Sequence, residues 1–302
     1  MQCNLPHKKG VSPSYLNLPK GSWVTILDFL IERFPHINAS VWHYRLASGG
    51  VLMQSGQSYR PDTPYEGGQR LYYYRQLDNE AVVPFKEKIL YQDEYLIAVD
   101  KPHFLSVVPA GKYLQQTLLV RLKRALQLDT ISPMHRIDRE TAGVVLFSKQ
   151  VEVRGMYQTM FQNHQMHKTY EAIAPTLHGL QYPHVHRSRI VKSTPFFCMQ
   201  EVSGEANSET KIELMETQGK LSRYCLKPVT GKQHQLRVHL AALGQGILND
   251  PFYPDVLPEK PQGNFDDPLQ LLAKSIAFTD PITHKEHYFE SQRQLKFPCS
   301  TQ

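Results

Sequence analysis

Asp138 stands in the stretch HRIDRETAGVVLFSK, residues 135–149, between Arg136 and Arg139 and three residues after His135. Guanidinium neighbours favour the ionised form of a carboxylate. That suits a nucleophile or an electrostatic stabiliser, and does not suit a general acid, which needs a raised pKa. The plain alternative is a surface loop with ordinary ion pairs. His135-Arg136-x-Asp138 shares letters with the protein-kinase catalytic loop, but the spacing differs and Gly143 stands where that loop has its Asn. With no Gly-rich phosphate loop and no DFG, kinase chemistry is excluded.

Two further stretches carry chemistry. TGKQHQLRVHL, residues 230–240, reads as a helix over 234–243, so that His234, Arg237 and Ala241 share one face. Arg237, flanked by Gln233 and His234, could pair with a buried carboxylate or a phosphate. By spacing alone a surface helix with a basic face is the simpler reading. In HKTYEAIA, residues 167–174, strand alternation points Lys168 and Tyr170 the same way. A tyrosine there offers a ring for stacking a base and a phenol for proton transfer, and a core tyrosine with a satisfied hydroxyl is the default otherwise. His164-x-x-His167 and His184-x-His186 lack an acid or Cys at ligand spacing in a chain of 14 histidines. Nor is there a Walker, dinucleotide or G-x-S-x-G fingerprint. The expectation is an activity with no metal and no cofactor.

These residues need elements to position them. TILDFLIERFP (25–35) has a helical apolar period closed by Pro35; 39–54 reads as a second short helix, a Gly49-Gly50 break and a strand; 67–77 adds a Gly-initiated strand. Arg33, Arg45, Arg60, Arg70 and Arg75 are spread through this part, and residues 1–88 carry a net charge of +3. It reads as a compact RNA-binding module, with an unliganded hairpin as the alternative. The composition shifts near residue 85. Beyond it come a strand pair over 88–102, an amphipathic helix over 117–128, a strand at 143–149, a helix over 150–165 and a strand at 168–174. A polar, Pro- and His-bearing stretch runs to about 208. Paired strands flank Gln218-Gly219, the 234–244 helix ends at Gly244, and a last pair occupies 277–290. The irregular alternation of strand and helix argues for an α+β fold and against a doubly wound parallel sheet.

The bulk numbers agree. The 302 residues are 41% hydrophobic and 21% charged, which is globular, and the net charge of +6 suits a polyanionic partner. Cys3, Cys198, Cys225 and Cys299 have no ligand spacing and read as free thiols of a reducing cytosol. The N-terminus lacks an apolar core segment, and no apolar run approaches the ~20 residues of a membrane span. The expectation is a soluble cytoplasmic protein.

Together the stretches resemble the RluA family of RNA pseudouridine synthases. HRIDRETAGVVLFSK is similar to the family's H-R-L-D-x-x-T-S-G signature, and TGKQHQLRVHLAALGQGILND to its T-G-R-x-H-Q-[IL]-R-V-H element followed by G-x-P-[IL]-x-G-D. Lys168 and Tyr170 match its K-x-Y strand, YLIAVDKP an upstream Lys-Pro element, and LLAKSIAFTDPITHKEHYFE its C-terminal segment. The match covers about 88–297 in order; Ala142, Lys232, Gly246 and Asn249 depart from the pattern, and Lys232 replaces a fork-shaped arginine by a point charge. Residues 22–76 resemble a degenerate S4 domain. The resemblance implies a pseudouridine synthase fold with a mixed, largely antiparallel sheet over 86–302, preceded by an S4-like RNA-binding module over 1–85. It implies that Asp138 is the essential aspartate, that Tyr170 stacks on the flipped uracil, and that Arg237 pairs with Asp138. It further implies that uridine is isomerised in structured RNA, ribosomal first and transfer second, without metal or cofactor. On the same resemblance Arg136 is expected to fill the space left by the flipped base or grip the backbone, and His135, Lys101, Lys168, Lys232, Gln233 and His234 are expected to contact RNA. The expected protein is a monomer with no DNA or membrane partner. Two rivals are a non-catalytic RNA-binding protein on the same fold and a nucleosidase. A carboxylate facing a polyanion speaks against the first, and the lack of paired carboxylates against the second.

Overall fold

The computed structural model describes residues 5–77 and 79–298. They fall into two compact units. The first runs to Glu80 and takes in Gly111–Gln115; the second comprises Ala81–Ala110 and the chain from Gln116 onward. The inclusion of 111–115 in the first unit has no compositional signal.

In the first unit, strand β1 (Ser14–Asn17) is followed by helices α1 (Ile26–Arg33) and α2 (Ala39–Ala47) and strands β2 (Val51–Met53) and β3 (Arg70–Tyr73). The strands form an antiparallel sheet in the order β1-β3-β2. Helix α1 starts where Thr25 and Asp28 cap each other's backbone N–H, satisfying donors the helix cannot. Asn38 does the same for α2 through Ser40 N–H. Ile26, Phe29, Leu30, Trp42, Leu46, Val51 and Leu71 are buried together, the face that the helical period of 25–35 marks. Strand β1, with a half-buried SYLN pattern, is an addition to the sequence reading.

The second unit contains β4 (Lys88–Gln92), β5 (Leu96–Lys101), α3 (Leu118–Leu126), β6 (Ser132–Pro133), β7 (Ala142–Ser148), α4 (Arg154–Gln162) and β8 (His167–Pro175). There follow β9 (His184–Lys192), β10 (Met199–Val202), β11 (Ser208–Gln218), β12 (Leu221–Pro228), α5 (Gln235–Leu243), β13 (Leu271–Thr279) and β14 (Glu286–Glu290). The sheet runs β10-β9-β11-β12-β8-β13-β7-β5-β4, with β14 on β13 and β6 on β7. Only the β13–β7 pair is parallel among the described residues, so the sheet is mixed and largely antiparallel and the class is α+β, as expected.

Strands β5 and β7 are buried on both faces, which is why LIAV and VVLF are unbroken apolar runs. Gly143 opens β7 at φ +115°, where a Cβ would lie 2.1 Å from the Ala273 carbonyl oxygen. Glycine is therefore required where the catalytic-loop candidate joins the sheet. The polar stretch before 208 is not irregular. It holds β9 and β10, whose residues alternate between half-buried and exposed because an outer strand needs little apolar surface. Helix α5 is not on the surface: Leu236 and Leu240 pack with Ala172, Ile212 and Leu226, while Val238 packs with Ile190 and Tyr253. His234 does not lie on its face; it is the N-cap, at φ 55° and ψ 17°. Cys198 and Cys225 are free thiols; Cys3 and Cys299 lie outside the described residues. No helix among the described residues is long and apolar enough to cross a membrane.

Candidate active site

Within the second unit the C-terminal edge of β6, the loop 135–141, β8 and the start of α5 surround a cavity of about 690 Å³. Asp138, His135, Arg136, Lys168, Tyr170, Lys232, Gln233, His234 and Arg237 all line it. Three stretches far apart in sequence are thereby brought to one place, and Lys101 alone of the expected site residues is outside.

Asp138 sits in a turn closed by Thr141 N–H onto its carbonyl, 3.2 Å. Its side chain is 27% exposed, and Arg237 donates to Oδ2 at 2.9 Å. Arg237 itself is 1% exposed. Its Nε and second guanidinium nitrogen form a fork onto Asp250 at 2.8 and 2.6 Å, and its plane lies over the rings of Phe252 and Tyr253. Burial opposes its charge, but hydrogen bonds and attraction from Asp250, then Asp138, outweigh burial and raise its pKa. A permanent cation is thus presented to Asp138 by a second carboxylate. Asp250 also accepts from Phe252 N–H and Tyr253 N–H. The flanking guanidiniums of the sequence stretch do not pair with Asp138: Arg139 binds Glu140 at 2.7 Å and lies over Phe104, and Arg136 is exposed.

The loop carrying Asp138 is pinned from below. Lys101 donates to the carbonyls of Pro102, Leu105 and Arg139 at 3.0, 2.7 and 3.2 Å and is fully buried. That corrects the expectation that it touches RNA phosphate: its nitrogen has no path to solvent, and the three N–H bonds of an ammonium are all spent on protein carbonyls. Burial pulls its pKa down to about 7. His103 Nδ1–H donates to the Glu140 carbonyl at 2.6 Å, and burial lowers its pKa to about 4. His135 accepts from Leu146 N–H at 3.1 Å and packs on Phe161, with its pKa lowered to about 3, first by burial and then by Lys168. It is a neutral anchor to β7.

On β8, Tyr170 and Lys168 face the cavity together. Burial, then the Asp138 charge, raises the Tyr170 phenol well above its ordinary pKa, so it is a neutral phenol. Burial lowers that of Lys168. Lys232 and Gln233 are exposed at the rim. The loop before α5 is tied by Gln235, which accepts from Thr230 Oγ1 and Lys232 N–H and donates to the Glu209 carbonyl and Thr210 Oγ1.

Asp250, Gln235, His103 and Tyr253 were not singled out by sequence reasoning. Asp250 was legible as the last residue of GILND, while the others act through long-range hydrogen bonds that no local pattern reports. His186, Glu201 and His239, the group among the described residues that could hold a metal, lies on β9, β10 and α5. Its atoms are already hydrogen-bonded, His186 to Glu201 at 2.9 Å and His239 to Ser188, Ser208 and Thr210.

A carboxylate held by one buried arginine, an aromatic phenol and a rim of cations can act on a sugar carbon of a polyanion without a second carboxylate lining the cavity. Comparison with known proteins shows the family. Residues 95–242 match the RNA pseudouridylate synthase family. The chain is 33% identical over 221 residues to tRNA pseudouridine synthase C of Vibrio parahaemolyticus, covering 68% of this chain and 89% of that protein. It is 30% identical over 228 residues to the dual-specificity RNA pseudouridine synthase RluA of Vibrio vulnificus, covering 70% and 83%. The fold is similar to that of human RNA pseudouridylate synthase domain containing 1, with a TM-score of 0.55 over 69% of this chain and 84% of that one at 20% identity. The chain belongs to the RluA family of RNA pseudouridine synthases, enzymes that isomerise uridine in RNA to pseudouridine.

Proposed function

We propose that Asp138 acts on the target uridine, attacking C1′ or drawing a proton from the sugar to give a glycal, with the C1′–N1 bond breaking and the uracil leaving through N1. The uracil then turns and rejoins through C5 to C1′, which expels the Asp138 carboxylate or returns its proton to the sugar. The supporting observation is a carboxylate opening into a cavity of about 690 Å³ and held by an arginine only 1% exposed. Carboxylate attack on a sugar carbon has the logic of a retaining glycosidase that keeps its leaving group. Arg237 orients Asp138 and keeps it ionised. Tyr170 stacks on the flipped base and is the candidate to take the C5 proton. Arg136, exposed in the loop, fills the space the base vacates; Lys168, Lys232 and Gln233 hold backbone phosphate at the rim.

The first unit is an S4-like RNA-binding module in this reading, and it ranks ribosomal RNA first as the substrate. Transfer RNA is the second reading, favoured by the 33% identity to a tRNA pseudouridine synthase. The protein works as a cytoplasmic monomer on RNA, with no DNA or membrane partner. Incubation with RNA carrying 5-tritiated uridine tests the role of Asp138: wild type releases tritium and Asp138→Asn releases none. Release by the variant overturns the assignment, and free uracil in place of pseudouridine points to a nucleosidase. Mapping pseudouridines in cells lacking the protein separates ribosomal from transfer RNA.

A further inference from the structure

Tyr253, His234 and Asp138 form a chain whose hydrogens can be assigned. Met199 N–H on β10 donates to the Tyr253 hydroxyl oxygen at 2.8 Å, and the same oxygen lies 2.7 Å from His234 Nδ1. Tyr253 is 7% exposed. If Nδ1 carried the proton, the phenol oxygen would receive two donors and its own hydrogen would be left without an acceptor in a buried site, which folded proteins avoid. The arrangement that satisfies every group has the phenol O–H donating to Nδ1. A neutral imidazole then carries its proton on Nε2. That nitrogen faces Asp138 Oδ1 at 3.7 Å, while Arg237 holds Oδ2 at 2.9 Å. Burial, opposed by Asp138, lowers the His234 pKa and favours this neutral form.

Two more observations separate His234 from an RNA contact. Its side chain is 9% exposed, with one ring nitrogen turned to Tyr253 and the other to Asp138, leaving neither for phosphate. Its backbone sits at φ 55° and ψ 17°, a left-handed conformation that non-glycine residues adopt rarely and that clusters at functional sites. The ring also stacks on Phe252, at 6.0 Å between centroids, the residue that lies under Arg237.

We infer that His234 is a positioning residue for Asp138: its Nε2–H, fixed in place by Tyr253, closes onto Oδ1 when RNA is bound, so that His234 and Arg237 hold the two carboxylate oxygens from opposite ends. The inference rests on the reading of Asp138 as the acting carboxylate. The present 3.7 Å is longer than a hydrogen bond and shortens to about 2.8 Å in the engaged site, as catalytic hydrogen bonds commonly do.

The test uses the full-length protein in two measurements. Long-range ¹H–¹⁵N spectra of the wild type, with the His234 ring assigned by its loss in His234→Gln, should show the Nε2–H tautomer; an Nδ1–H tautomer overturns the inference and needs no active variant. Steady-state tritium release should show kcat lower by about 10- to 100-fold in His234→Leu with KM for RNA unchanged, the loss of one hydrogen bond to a charged group. His234→Gln, whose amide N–H can reach the place of Nε2–H, should recover part of that loss, and Tyr253→Phe should lower kcat without changing KM. A rise in KM at constant kcat makes His234 an RNA contact and refutes the proposal. Activity in Asp138→Asn fails the underlying reading instead, whereas an inactive Asp138→Asn beside fully active His234→Leu and Tyr253→Phe fails the inference alone.

Discussion

Replacing Asp250 by Asn separates what holds the site together from what reacts in it. The Asp250 side chain is 0% exposed, and N–H groups from Arg237 Nε, the other Arg237 nitrogen, Phe252 and Tyr253 converge on its two oxygens. Oδ1 takes all of these except Arg237 Nε, so an asparagine must place its single oxygen there. Its amide nitrogen then faces Arg237 Nε–H, donor against donor, and the buried guanidinium loses its principal counter-charge. Removing one partner of a buried pair costs about 3–5 kcal/mol. At roughly 2–4 °C per kcal/mol for a domain of this size, Tm falls by about 6–20 °C. Asp138→Asn removes the charge of a carboxylate that is 27% exposed, its amide oxygen can still accept from Arg237, and Arg237 keeps its fork on Asp250. Its stability cost is at most about 1 kcal/mol, yet it should release no tritium. Circular-dichroism melting of both variants beside tritium release decides the matter. If Asp250→Asn melts with the wild type, or if Asp138→Asn melts more than about 4 °C below it, the division between a structural and a reacting carboxylate is wrong.

Gly143→Ala drives a Cβ to 2.1 Å from the Ala273 carbonyl and should destabilise by at least roughly 3 kcal/mol, read as a lower urea midpoint; a normal midpoint refutes the requirement for glycine. Lys101 has a folded pKa of about 7, below its ordinary 10.5, so the unfolded chain binds the extra proton between those values. Its burial cost is therefore complete below pH 7 and relieved as pH rises toward 10.5; Tm differences between wild type and Lys101→Met should change across that window and stay flat below it. His103, His135 and His239, lowered to about 4, 3 and 3, chiefly by burial, contribute stability present above pH 6.5 and lost as pH falls through 6.5 toward 3. Melting at pH 7 and pH 5 should show the loss, and His239→Gln should reduce it. Arg33→Glu with Arg45→Glu, in the last turns of α1 and α2, should weaken RNA binding and flatten its salt dependence with kcat retained; equal affinity at all salt concentrations counts against the RNA-binding role of that unit.

Local periodicity carried most of the elements because burial follows it. The helical period of 25–35, the unbroken VVLF of β7 and the turn at Gln218-Gly219 are each decided by residues within one element. Strands β9 and β10 were not legible because one face of each is exposed and the other mostly only half-buried, so polar residues serve on both and no apolar alternation shows. The site divided in the same way. Asp138, Tyr170 and Arg237 came from motifs, but spacing alone made α5 a surface helix, and only its packing between two apolar clusters explains how Arg237 reaches 1% exposure. Lys101 was misread for the converse reason. A lysine before proline looks solvated, and its burial depends on carbonyls that converge only in the folded loop.

Balancing the proposed reaction constrains Asp138 and Tyr170 together. Burial, then the Asp138 charge, holds the Tyr170 proton, so the ring meets the uracil as a neutral phenol. Asp138 loses its charge only while it is bonded to C1′, or while it carries the sugar proton on the glycal route. The C5 proton becomes removable only once C5 has bonded to C1′, and that step expels the Asp138 carboxylate or returns its proton to the sugar. The anion is therefore back before the last proton leaves, and a Tyr170 that takes that proton must hand on its own in the same step.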